Sequence, residues 1–96
     1  MELIQLRYFQ VAAYYQHISK AAEELNISQP ALSTMISRLE NELGIKLFDH
    51  IGRSVILNKN GKIFLNHVNN ILTEIKDAKL ELQDLSKQSE QRGMDI

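Results

Sequence analysis

Four hydroxyl side chains, Ser28, Ser33, Thr34 and Ser37, fall within one ten-residue stretch, and no position from 28 to 37 carries a charge. Gln29 adds an amide at the leading end. Leu32, Met35, Ile36, Leu39 and Leu43 thread between them at helical spacing, so the hydroxyls share the opposite face of one helix. Ser and Thr are poorer helix formers than Lys or Glu, which makes a merely solvated face an uneconomical explanation, although it is the competing one. Short donors and acceptors on an uncharged face suit close approach to a flat polar array, such as base edges in a DNA major groove. There a Gln bonds adenine bidentately, a Ser donates or accepts, and a Thr methyl meets thymine. Acidic residues begin only at Glu40, clear of any phosphate near the helix start.

The flanking residues supply the means to hold such a face. Ser28 is placed to cap the helix, Pro30 falls in its first turn, and Gly44 ends it. The cap and the first turn could also meet a phosphate through backbone N–H groups. Upstream, Ser19 is a plausible N-cap for a shorter helix that ends at Asn26, a residue tolerant of left-handed angles. Ile18, Ala21, Ala22, Leu25, Ile27, Leu32 and Met35 are apolar or small where two crossing helices require it. The spacing therefore predicts a helix-turn-helix over 18–37.

Residues 2–16 read as a further helix with two apolar stripes, Leu3, Leu6, Phe9, Ala13 and Ile4, Tyr8, Val11, Tyr15, hence a helix packed on two sides. Residues 47–57 read as a β-hairpin with its tip at 51–54, a wing whose Arg53 could enter a minor groove. From Asn58 to about Gln88 the pattern is one long helix. Phe64, Val68, Ile71, Ile75, Ala78, Leu82 and Leu85 recur at heptad spacing, a seam too long for so small a domain to bury alone, which implies self-association. The polar tail from Ser86 is expected to fray.

Composition narrows the classes. Ninety-six residues make one small domain. The absence of cysteine excludes disulfides and thiolate metal sites. No stretch is apolar for the roughly 20 residues a membrane span needs, and MELIQLRYFQ lacks the pattern of a signal peptide. The net charge of −1 gives no global basic signature, so any affinity for nucleic acid rests on where charges sit. His17, His50, His67 and Asp49 form no nucleophile–base or metal-ligand constellation. The expectation is no enzyme, no cofactor and no metal. A protein-interaction module on the same scaffold stays open as the second reading, and duplex binding separates the two.

The strings LRYFQVAA, ISKAAEELNISQPALS, ISRLENELGIKLFDH and GRSVILNKNGKIFL resemble the N-terminal part of LysR-type transcriptional regulators, over residues 1 to about 90. The resemblance implies a mainly α fold with a small β-hairpin: a winged helix-turn-helix over 1–58, then a linker helix over 59–90 that dimerises in antiparallel fashion. It implies contacts to bases or phosphates of double-stranded DNA at Ser28, Gln29, Pro30, Ser33, Thr34, Ser37 and Arg38, with Arg53 at the wing. Family members often carry Arg at the positions of Thr34 and His50, Gln at Met35 and a basic residue at Ser37. Their loss here implies a shallow salt dependence of binding, since each neutralised phosphate adds about 0.9 to the log–log slope. Full members continue into an effector-binding domain and bind promoters as tetramers in the bacterial cytoplasm. Residues 91–96 are similar to the hinge before that domain, so a piece of a longer chain is expected.

Overall fold

The computed structural model describes residues 1–52 and 54–94, with side chains through Leu85. Helix α1 spans Leu3–Tyr15, α2 Ile18–Leu25 and α3 Gln29–Leu43; strands β1 (Phe48–Ile51) and β2 (Ser54–Leu57) form an antiparallel pair; α4 spans Lys59–Met94. The fold is thus mainly helical with one two-stranded hairpin, a winged helix-turn-helix with a long C-terminal helix.

The core explains why these pieces assemble. Phe9, Leu32, Leu39, Leu47, Val55 and Val68 are almost wholly removed from water, and they come from α1, α3, the loop after it, β2 and α4. Phe9 is central, its ring 5.4 Å from that of Phe48 and 5.1 Å from that of Phe64. Ala21 and Ala22 are buried, and their small side chains let α3 cross α2 closely. Helix α1 buries Leu6, Phe9, Val11, Ala12 and Ala13, consistent with packing on more than one side, while Leu3 and Ile4 at its start stay exposed. Gly61 has no room for a side chain, because a Cβ there would overlap the Leu47 carbonyl and the Leu57 side chain.

Each turn has a visible cause. Gln16, Asn26 and Gly44 adopt left-handed angles that end α1, α2 and α3. The expected cap at Ser19 is corrected: α2 begins at Ile18, and His17 Nδ1 accepts the Lys20 N–H at 3.3 Å. Asn58 starts α4 by accepting the Gly61 N–H at 2.8 Å, and its amide donates to the Lys46 carbonyl at 2.9 Å.

The heptad seam divides into two parts. Val68 is fully buried and Phe64 packs against Phe9, so both belong to the core of their own protomer and not to a free seam. Their neighbours Leu65 and Leu72 join them. Ile71, Leu82 and Leu85 are exposed, as is Leu80, while Ile75 is half-buried and Ala78 exposed. Helix α4 has 36 residues, about 54 Å at ~1.5 Å per residue. It carries the molecule's long dimension of 64 Å against 25 and 19 Å for the others. Its backbone is helical through Met94, so the polar tail expected to fray from Ser86 continues the helix.

Candidate nucleic-acid interface

Helix α3 separates its residues cleanly. Leu32, Ile36 and Leu39 are buried and Met35 and Leu43 half-buried, whereas Ser28, Gln29, Pro30, Ser33, Thr34, Ser37 and Arg38 are all exposed. Ser28 Oγ accepts the Ala31 N–H at 3.2 Å and so holds the first turn. Among the described residues, Gln29, Ser33, Thr34, Ser37 and Arg38 make no side-chain hydrogen bond within the protein. Their donors and acceptors point outward with their full capacity unspent.

The hairpin stands beside this face. Ile51 pairs with Ser54 around a two-residue tip in which Gly52 takes a φ of 60°, the geometry expected of a tight hairpin turn. Arg53, the tip's expected minor-groove contact, lies outside the described residues. Between α3 and the hairpin runs an open cleft of about 750 Å3, with Ser19, Gln29 and Ser33 on the helical side and His50, Gly52 and Ser54 on the hairpin side. None of the described residues lining it is acidic.

Two devices fix the hairpin relative to α3, and sequence reasoning missed both. Glu40 is buried. Its Oε2 accepts the Leu47 N–H at 2.7 Å and the Phe48 N–H at 3.4 Å, and Lys46 Nζ lies 3.9 Å from Oε1. The carboxylate thus clamps the start of β1 to the last turns of α3. The second device is the link between α1 and α2. The Gln16 carbonyl accepts the Val55 N–H at 3.3 Å, Gln16 Oε1 accepts the Leu57 N–H at 3.0 Å, and His17 bridges to Ser54. A third short extended segment therefore lies along β2. The signal for Glu40 was its place directly after Leu39 of the inward stripe; nothing local marks Gln16.

Between α1 and α2, on another side, the Tyr15 phenol is held above the ordinary tyrosine range, first by desolvation and then by the adjacent Glu24 carboxylate. Among the described residues no cluster of three or more His, Cys, Asp or Glu side chains could hold a metal, and no described helix is long and apolar enough to cross a membrane.

Comparisons with known proteins agree with this geometry. The uncharacterized HTH-type transcriptional regulator YybE of Bacillus subtilis is 53% identical over 87 residues, which is 91% of this chain and 30% of that protein. The HTH-type transcriptional regulator AlsR of the same organism is 42% identical over 91 residues, 95% of this chain and 30% of the relative. The chain therefore spans about 30% of the length of these curated relatives. Among solved structures, the BenM DNA-binding domain in complex with benA site 1 DNA superposes with a TM-score of 0.84 at 35% identity, covering 88% of this chain and 99% of that one. The CbnR DNA-binding domain in complex with DNA gives 0.84 at 29% identity, covering 90% and 99%. The model for bacterial regulatory helix-turn-helix proteins of the lysR family matches residues 3–62, and the chain belongs to that family of transcriptional regulators.

Proposed function

We propose that this chain is the DNA-reading part of a transcriptional regulator. Helix α3 enters a major groove with Gln29, Ser33, Thr34 and Ser37 toward base edges. Ser28, Pro30 and Arg38 flank them near the backbone, and the β1–β2 tip with Arg53 reaches the adjacent minor groove. The observation that carries this reading is the outward face of α3, whose short, uncharged side chains are exposed and without partners in their own protomer. That BenM and CbnR domains of the same fold have been solved with DNA supports the same assignment.

Two copies pair through the part of α4 beyond Val68, by Ile71, Ile75, Ala78, Leu82 and Leu85. Pairing gives a two-fold axis, so the two α3 helices read an inverted repeat with half-sites a whole number of DNA turns apart. In this division, residues 1–58 read DNA and 59–90 join protomers. Any small-molecule effector and any tetramer belong to sequence beyond these residues. The activity places the protein with the chromosome, in the cytoplasm. Selection of bound duplexes from a random pool, then sequencing, tests the reading. An enriched motif with internal two-fold symmetry is expected, and a folded chain that enriches nothing at low ionic strength overturns it.

A further inference from the structure

We propose that His50 is a proton-gated contact to the DNA backbone, so that the chain grips a duplex more tightly when this imidazole is charged. The inference rests on the duplex-binding reading above. A protein with α3 in a major groove and the hairpin tip in the neighbouring minor groove must straddle the sugar–phosphate strand that divides them. The cleft between α3 and the hairpin, about 750 Å3 and open, is where that strand passes.

His50 forms part of the hairpin wall of this cleft. It pairs with Val55 across the strands and shares a face with buried Phe48, two residues earlier, which turns it toward the helices. At the outer end of that face it is itself exposed. Of the described residues lining the cleft, it alone can become a cation; the others offer hydroxyls, an amide, backbone and apolar surface. A neutral imidazole brings a single N–H donor and no net charge, whereas imidazolium brings two donors and a full positive charge. The same residue therefore contributes little to phosphate binding at alkaline pH and one neutralising contact at mildly acidic pH.

The surroundings do not counter this. The α2 wall presents Ser19, with exposed Lys20 next to it in the chain, and the α3 wall presents Gln29 and Ser33. On the hairpin, Asp49 pairs with Ile56 on the opposite face, and Arg53 lies outside the described residues. His17 meets the hairpin at Ser54, but its Nδ1 accepts the α2 cap bond. His67 lines a separate groove on α4, with Leu43 and Ile63.

The test is binding of the 96-residue chain to a random-sequence duplex across a salt series, at about pH 5.5 and about pH 8, either side of the imidazole range. The log–log slope is expected to steepen at the lower pH by up to about 0.9 per bound protomer, an affinity gain of up to roughly eightfold at ~0.1 M salt. His50→Gln removes the pH response, His50→Arg fixes the low-pH slope at both values, and His17→Asn, a non-titrating cap, keeps the response. Both His50 variants sit at an exposed position, and circular dichroism verifies their fold. If His50→Gln keeps the wild-type response, or the wild type binds equally at both pH values, the inference fails while duplex binding stands. No binding at either pH removes both.

Discussion

The head and the rod of this molecule use leucine and isoleucine in opposite ways. In the head, from α1 through the first turns of α4, Leu6, Leu32, Ile36, Leu39 and Leu47 interlock with Phe9 and are shielded from water. Along the distal half of α4, Leu80, Leu82 and Leu85 are about half to two-thirds exposed, and among the described residues no other element packs on them. The same residue types and almost the same spacing serve an internal core in one place and an unmatched surface in the other. Apolar periodicity says that a face will be buried; it does not say by what. Only the position of the elements packed around that face decides, and among the described residues the head occupies one end of the rod alone.

The sharpest break of this contrast is a truncation in each region. Phe9→Ala removes a fully buried ring that packs edge-to-face on Phe64 and tilted on Phe48, and should cost about 3–5 kcal/mol of stability. Urea unfolding of the purified chain measures it. If the loss were under about 1 kcal/mol, the head would not be organised around this ring. The rod should behave differently. Leu82→Asp with Leu85→Asp leaves the head folded but turns the chain monomeric in sedimentation, and affinity for an inverted repeat falls by about 100-fold or more as the paired head is lost. Affinity for a single half-site is retained. An unchanged sedimentation coefficient would show that these residues join nothing.

Much of the head is legible in the order of its residues because its signals are local. Ser28 before Gln-Pro, Asn26 between two helices, Gly44 after Leu43 and Gly52 at the hairpin tip each determine a backbone angle or a hydrogen bond within a few residues, and each is found where expected. The features that were not legible share one cause, namely dependence on another element of the fold. Glu40 turns inward only because β1 returns to it seven residues later. His17 caps α2 while its backbone is held against Ser54. Phe64 and Val68 leave the seam because Phe9 and its neighbours reach them first. On the candidate interface, the type and exposure of the α3 residues were readable, but the Glu40 and Gln16 clamps that aim the hairpin were not.

Within the head a second division separates residues that hold the fold from residues that read a partner. Gln29 is exposed and makes no side-chain bond inside the protein, so Gln29→Ala should leave thermal stability within about 0.5 kcal/mol. On the duplex recovered by selection it should cost roughly 1–3 kcal/mol of binding, and much less on random DNA. Equal losses on both duplexes would mean that Gln29 reads no base.

Ser28 belongs to both sides of that division, and two substitutions pull its roles apart. Its hydroxyl accepts the Ala31 N–H, so Ser28→Ala should lower stability by about 1 kcal/mol, the ordinary worth of an N-cap. Some DNA affinity goes with it. Ser28→Asp restores a capping acceptor and adds a carboxylate favoured by the positive end of the α3 dipole, so stability returns to the wild-type level or slightly above. The same carboxylate would face phosphate at the start of the helix, so DNA binding should fall below that of Ser28→Ala. Thermal denaturation and duplex titration of the two variants read this directly. Aspartate that restores stability and affinity together would place the N-terminus of α3 away from the backbone, and α3 would have to enter the groove in some other orientation.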